Sequence, residues 1–598
     1  MNASIITSTM ASAVVSNGSG VISDISQFVF NSVDYSVFVF MLCISAGIGV
    51  YFGFFAKGED TTEEYLHGGK QMKTLPIAIS LVASQLSGIS IMTIPAEMYS
   101  YGINWFFNVV SMVIIIPILL WVVIPVFYNN NISNCYEYLE VRFNRKTREL
   151  QTIAFMVTLF LMLPVFIFIP ALAFSQVTGI NIHLINGVVC AICVFYTMFG
   201  GIKAVVWTDV VQAAIMVMSV TLVGVLGAIK VGGVTEVFRI AGEGQRLNVN
   251  LEFDATTRST FWNNFISSTI MWTSYVGLNQ SCVQRIVSLP SLKHARRSLI
   301  IFGFGFVMIM FFNCFTGIVM YARYHDCDPL EAGFVSKADK LMPFFVQDVV
   351  GHLKGMPGVF ISCVFSAALS TMSAGMNSLA GIVYFDYIKP HIKHTERRAN
   401  LTMKTLVLLT GLYCILAGTV VEKFSSILQI VYSIGGVTFG SVFGVFLLGM
   451  LVPKAHGRAA FWAAISSMLV MVYIVGASQG RNHYETLPSS VESCPVLNMT
   501  SARLTSPLVA MSHQQDSDSL SPATDKGFHI LDLSFNWYST LGAIIVFAVG
   551  IPLSYILSPE KGAKFDVKLL SPIIQPFANY ELAQTEEVLE VITAKTKS

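Results

Sequence analysis

Apolar runs of about twenty residues recur along almost the whole chain, and nothing else in the sequence constrains its fold as strongly. A scan on that criterion predicts about thirteen spans, at 35–56, 75–98, 103–127, 149–177, 182–199, 206–229, 260–283, 298–322, 357–387, 403–420, 425–451, 459–477 and 537–557. Runs of this length suit helices, since a membrane β-strand needs only about ten residues. Hydrophobic residues fill 54% of 598 positions and charged ones 12%, which leaves no soluble domain in which a separate enzyme would sit. An all-α integral membrane protein is expected, with no enzymatic activity: a channel, a transporter or a receptor. The formal net charge of +1 gives no reason to expect nucleic acid as a partner.

Basic residues set the orientation. With the N-terminus outside, the short inner loops hold Lys57, Lys70 and Lys73; Arg142, Arg145, Lys146 and Arg148; Lys203; Arg285, Lys293, Arg296 and Arg297; Lys389, Lys393, Arg397 and Arg398; and Lys454 and Arg458. This is the positive-inside pattern. It makes residues 1–34 an extracellular, disordered tail, 35–557 a membrane domain with an outer loop at 478–536, and 558–598 a cytoplasmic tail. Glycosylation sequons at Asn2, Asn17 and Asn498 fall outside on this assignment, whereas those at Asn131, Asn279 and Asn400 fall in inner loops or a span and read as chance matches. No cleavable signal is expected, because no Lys or Arg precedes Lys57. Most of the cysteines lie in spans and read as small hydrophobes. Cys327 and Cys494 both fall in outer loops, and whether they pair stays open at this level.

One span is unusually polar. Between Val359 and Asp386, the residues Ser366, Ser370, Ser373 and Asn377 fall at i, i+4, i+7 and i+11, one stripe on a helix. Lipid cannot satisfy that stripe, so it faces protein or a wet cavity. Adjacent Ser370 and Thr371 offer neutral oxygens of the kind an alkali cation accepts in place of water, or they bond back to the preceding turn. A second signal lies at Ser84, Gln85, Ser87, Gly88 and Ser90, where a helix can unwind at mid-depth. Gly435 and Gly436 mark a further weak point, or a place where helices pack closely. Breaks in both halves of a bundle point to a transporter with a midplane site.

These residues carry a family resemblance. The run YTMFGGIKAVVWTDVVQAAIM at 196–216 resembles the signature of the sodium/solute symporter family. ASQLSGISIMTIPAEMYSYG, NCYEYLEVRF and SAALSTMSAGMNSLAGIVYFDYI resemble that family's blocks in order, and Pro95-Ala96-Glu97 and FGVFLLGMLVP are similar to its monocarboxylate, multivitamin and iodide branch. The resemblance implies a leucine-transporter-type core of two inverted five-helix repeats, 75–229 and 260–451, with one leading and two trailing helices. It also implies a sodium site made by the carbonyls of Ala83, Leu86 and Ala367 and the hydroxyls of Ser370 and Thr371. Asp209 either caps its helix or draws sodium toward an inner exit, with Ser373 on the way; Ala374 stands where many relatives carry a hydroxyl, which leaves a second sodium site open. Gln85, Ser87, Ser90, Trp272, Tyr275, Gln429 and Tyr432 are expected to line a substrate pocket, with Met162, Pro164 and Phe168 as departures on the third core helix. Trp272 and Tyr275 also suit simple packing between helices. No Lys or Arg is expected at mid-depth.

The implied function is sodium-coupled import of a small organic anion, foremost a monocarboxylate, across the plasma membrane by alternating access, with sodium as the co-transported ion. Vitamin, iodide and polyol or sugar carriers are the alternatives within transport. A solute-gated sensor or channel is the alternative from another class.

Overall fold

The computed structural model describes residues 30–578 apart from 56–64, 67, 131, 133, 393–394, 422–426, 479–480, 482–483, 495–528 and 559–565. Among the described residues the regular structure is entirely helical. The long helices are α1 (Ser32–Val50), α2 (Thr74–Gln85), α3 (Gly88–Tyr101), α4 (Ile103–Asn129, a series of short turns), α5 (Arg145–Thr178), α6 (Ile182–Val231), α7 (Phe261–Gly277), α8 (Gln280–Val287), α9 (Leu292–Tyr324), α10 (Met356–Ile382), α11 (Glu396–Val421), α12 (Ile427–Leu451), α13 (Gly457–Ser478) and α14 (Tyr538–Ile556).

Ten helices among the described residues are long and apolar enough to cross a membrane, or eleven if the bent pair α2–α3 is one span. The expectation of about thirteen exceeds this count because two of the expected spans are joined end to end and a third is broken. The runs 182–199 and 206–229 are two helices of one continuous 50-residue element, α6, that meet at a kink at Gly201 (φ 57, ψ −156). That backbone conformation favours glycine, and a Cβ there would lie 2.9 Å from the Tyr65 carbonyl oxygen. The run 260–283 is not one helix either: it divides into α7, of 17 residues, and the short α8.

The arrangement is leucine-transporter-type. Each half of the core begins with a broken helix, α2–α3 in the first and α7–α8 in the second, and α1 leads while α13 and α14 trail. The α2–α3 axis bends by 59°, with Leu86 (φ −93, ψ 104) and Ser87 (φ −89, ψ 162) extended between the two pieces. The second break falls at Leu278 and Asn279, whose side chain caps α8 by accepting from Ser281 N at 2.9 Å. Of the two readings of Gly435–Gly436, a break and close packing, the structure has no break, because α12 runs through the pair. A Cβ on Gly436 would stand 2.5 Å from that of Tyr538, so this glycine serves close packing of α12 on α14.

α10 is the centre of the bundle: 94% of its apolar window is buried. The stripe of Ser366, Ser370, Ser373 and Asn377 is buried with it, among protein as expected. Its N-terminal end is clamped to α1, where Gly358 N donates to Asp34 Oδ1 at 3.1 Å and a Cβ on Gly358 would meet the Asp34 carbonyl at 2.6 Å.

Cys327 and Cys494 form a disulfide, with Cα atoms 4.9 Å apart. Backbone bonds from Asp328 N to Ser490 O (2.8 Å) and Ser493 N to Asp326 O (3.1 Å) hold the two loops beside it. The sequons at Asn2, Asn17, Asn131 and Asn498 lie outside the described residues, and Asn279 and Asn400 are buried. In the NCYEYLEVRF block, Arg142 is buried and donates to the carbonyls of Gly449, Val452, Pro453 and Ala455, closing the C-terminal end of α12.

Candidate functional site

The break between α2 and α3 meets the polar stripe of α10. A helix end leaves its last carbonyls without helical donors. Leu86 N still reaches Val82 O at 3.2 Å, but the carbonyls of Ala83 and Ser84 lose their partners because Ser87 and Gly88 leave the helical path. Thr371 Oγ1 is placed 3.2 Å from Ser84 O and 2.9 Å from Ala367 O. Its hydroxyl thus back-bonds its own helix and also bridges to the broken one. Ser370 does not back-bond: its buried hydroxyl is directed to the Asp209 carboxylate. Gly88 brings the helices together, since a Cβ there would lie 3.0 Å from Val364 O.

Behind this junction lies an ionic cluster that the sequence did not suggest. Ser80 Oγ donates to Asp209 Oδ2 at 2.6 Å, and Arg285 NH2 stands 3.1 Å from the same oxygen with both side chains buried. Arg285 Nε also donates to Ser80 Oγ at 2.9 Å. Asp209 is therefore not a helix cap; it lies inside α6, well beyond the Gly201 turn. Arg285 is not an exposed loop residue either, because α8 folds it inward. Besides Ser80 and Arg285, the Ser370 hydroxyl stands beside that carboxylate. Ser373 Oγ donates to Ser370 O at 3.1 Å.

On the other side of the junction is a cavity partly continuous with solvent. Gln85, Ser87, Ser90, Trp272, Tyr275, Tyr432 and Thr371 all line it, so the structure brings together every pocket residue expected from sequence except Gln429, whose side chain lies outside the described residues. Met162 and Ala374 also line it, while Pro164 and Phe168 are buried within α5. Trp272 and Tyr275 pack edge to face at 5.6 Å, against Phe306 and Phe439 respectively, so they serve both packing and the cavity wall. Gln85 Nε2 lies 2.6 Å from Cys282 Sγ, and its Oε1 is buried and unpartnered. Lining residues that sequence reasoning missed include Asn279 and Ser281 at the start of α8. Their signal was Gly277 followed by Asn279, a helix stop and a helix start in three residues.

Among the described residues, no Lys or Arg lines the cavity. Above it, Arg258 pairs with Glu97 and lies over the rings of Tyr101 (4.3 Å), Phe535 (4.8 Å) and Tyr484 (5.1 Å). Tyr484 and Phe535 come from the loops flanking α13 and α14, so the trailing helices help to cover the site.

A broken-helix bundle with a central cavity and oxygen-lined helix junction defines the class as a membrane transporter. The chain belongs to the sodium:solute symporter family, whose model matches residues 65–467. It is 34% identical to mouse (Mus musculus) sodium-coupled monocarboxylate transporter 2 over 561 residues, covering 92% of this chain and 87% of that protein. It is 36% identical to mouse sodium-coupled monocarboxylate transporter 1 over 540 residues (89% and 88%) and 32% identical to the human (Homo sapiens) sodium/iodide cotransporter over 549 (89% and 84%). Its fold matches the substrate-bound, outward-open structure of a Na+-coupled sialic acid symporter with a TM-score of 0.72 at 22% identity, covering 90% of this chain and all of that one.

Proposed function

We propose that this protein imports a small organic anion, a monocarboxylate foremost, together with sodium across the plasma membrane by alternating access. The observation that carries the reading is the convergence of two helix N-termini on a cavity without Lys or Arg. Ser87 at the start of α3 and Asn279 at the start of α8 both line it. First-turn N–H groups and the positive ends of helix dipoles attract a carboxylate. The remaining wall, with Trp272, Tyr275, Phe439, Met162 and Met310, suits a short carbon chain.

Sodium is the second substrate. The carbonyls of Ala83, Leu86 and Ala367 and the hydroxyls of Ser370 and Thr371 would hold it at the α2–α10 junction. The freed carbonyls at the break and the Ser370 hydroxyl, which makes no bond to its own helix, support this set, as does Thr371 reaching Ser84 O. An ion there ties the two repeats together and completes the pocket beside it. Asp209 then offers the departing ion its next stop, past Ser373. The membrane carries the N-terminus outside and the C-terminus inside, in line with the basic inner loops and with a disulfide on the opposite, oxidising face.

A tenfold sodium gradient supplies ~1.4 kcal/mol, and about 60 mV adds a similar amount per net charge moved. One sodium carried with a monovalent anion moves no net charge and concentrates it about tenfold. Uptake of labelled lactate, pyruvate, butyrate, biotin, iodide, glucose and myo-inositol in expressing cells, in sodium and then in choline, tests the reading. Sodium-dependent accumulation confined to the short monocarboxylates supports it. Accumulation of iodide, biotin or a sugar alone would reassign the substrate, and current without uptake would make the protein a sensor or channel.

A further inference from the structure

A second, wholly apolar groove lies on the outside of the bundle, with about 980 Å³ of open space between α2, α6 and α9. Its walls are Ala78, Ile79 and Val82 of α2, Ala213, Ala214 and Val217 of α6, and Ile301, Gly305 and Met308 of α9, among others. Small residues hollow it, and α9 approaches α2 closely at Gly305, where a Cβ would lie 3.1 Å from Val82 Cγ2. The three helices run parallel. Ser80 meets Asp209 near the start of their shared course, and farther along Gly224 meets Thr316 and Gly317 meets Pro95. The start of α2, the part of α6 that follows Gly201 and the start of α9 therefore lie at the same membrane surface.

That end of the groove is basic. Lys73 immediately precedes α2, and Arg297 lies one turn before Ile301, on the stripe Arg297, Ile301, Gly305 and Met308 at i, i+4, i+8 and i+11. Lys73 and Arg297 are exposed. Segments 65–80 and 288–308 contain no Asp or Glu, and Asp209 of α6 is buried and already paired with Arg285. Trp207, 42% exposed one turn before Val210, stands on the α6 side where an indole suits a headgroup boundary.

We infer that this groove holds an acyl chain of an anionic phospholipid, with its phosphate held at the mouth by Lys73 and Arg297. The apolar walls exclude a polar solute, and the basic rim, with no counter-charge on segments 65–80 and 288–308, selects an anionic headgroup over a zwitterionic one. By the positive-inside rule this is the leaflet where anionic lipids are concentrated. The lipid would lie against Ala78 and Val82, on the same helix that presents the Ala83 and Ser84 carbonyls at the break. A resident chain thus steadies the half-helix on which the ion junction is built.

The test uses purified full-length protein in vesicles of phosphatidylcholine containing a minor fraction of acyl-brominated phosphatidylserine or, separately, acyl-brominated phosphatidylcholine. Fluorescence of the wild type minus that of Trp207→Phe isolates the reporter at the groove mouth. Each basic residue near an anionic surface contributes about fivefold in affinity, so brominated phosphatidylserine should quench at a markedly lower mole fraction than brominated phosphatidylcholine. The surface variants Lys73→Gln and Arg297→Gln should each erode that preference by about the same factor, and Gly305→Leu should weaken quenching by both lipids. Equal quenching by the two headgroups, or a preference that survives loss of both basic residues, would overturn the assignment. The readout is independent of transport, so it stands or falls apart from the substrate reading.

Discussion

Replacing Thr371 with alanine tests the ion junction at its most exposed assumption. In the folded protein this hydroxyl is 3.2 Å from Ser84 O and 2.9 Å from Ala367 O, with the side chain buried. Alanine removes one of the proposed sodium ligands together with the side-chain bridge from α10 to the freed Ser84 carbonyl. Loss of one buried polar interaction of this kind costs ~1–3 kcal/mol. If that cost falls on the sodium-bound state, the sodium concentration for half-maximal uptake rises by about fivefold to a hundredfold. Thr371→Ser keeps the oxygen and should stay within about threefold of the wild type. Thr410, whose hydroxyl only back-bonds to Leu406 O at 2.9 Å, is the control, and Thr410→Ala should leave sodium activation unchanged. The assay is substrate uptake against external sodium in cells, normalised to surface protein by biotinylation. Unchanged sodium dependence in correctly delivered Thr371→Ala would refute the placement of sodium at this junction.

Three further outcomes follow from the geometry. Arg285→Gln leaves Asp209 buried with only the Ser80 and Ser370 hydroxyls beside it and should destabilise the protein by ~3–5 kcal/mol, read as lower thermal stability in detergent, while adding Asp209→Asn should restore much of it. Burial alone would raise the Asp348 carboxyl, but hydrogen bonds from Arg323 and Lys230 outweigh it and hold the group below its usual value. A carboxyl depressed in the folded state contributes stability above its unfolded pKa and loses it as pH falls through the folded one, so the stability gap between wild type and Asp348→Asn should shrink below about pH 4. Breaking the Cys327–Cys494 bond, which spans 167 residues of sequence, releases loop-closure entropy of ~5 kcal/mol on the chain-entropy model. Cys494→Ser should therefore lower thermal stability and remove the effect of reductant on it.

The sequence was most legible where one physical constraint acted alone. Span length, basic loops and the stripe on α10 each follow from the cost of polar groups in lipid, and the core helices lie where those signals placed them. Gly88 amid serines marked the first break because glycine and serine weaken a helix locally. The second break at Leu278–Asn279 was hidden, because the run 260–283 reads as one apolar span and Asn279 looked like a stray sequon rather than a helix cap. Gly435 and Gly436 stayed open for the converse reason: a glycine pair signals either unwinding or contact, and only the neighbouring Tyr538 decides between them, for contact. The Asp209–Arg285 pair was out of reach of local reasoning. Arg285 was counted with the inner-loop charges, and only the turn of α8 carries it back to a carboxylate from a helix 76 residues away in sequence. The candidate pocket was recovered nearly whole because its residues are polar or aromatic positions within spans, which have few other uses.

The most direct test of sodium-coupled anion import is accumulation in liposomes containing the purified protein, with a set inward sodium gradient and a clamped potential. With labelled lactate and one sodium per cycle, a tenfold gradient should concentrate the anion about tenfold whatever the potential; with a second sodium, about 60 mV inside-negative should raise that about a further hundredfold. Either result requires that choline in place of sodium abolish accumulation. Lactate, pyruvate and butyrate equilibrating equally in sodium and choline, or sodium current without any accumulated solute, would contradict the account.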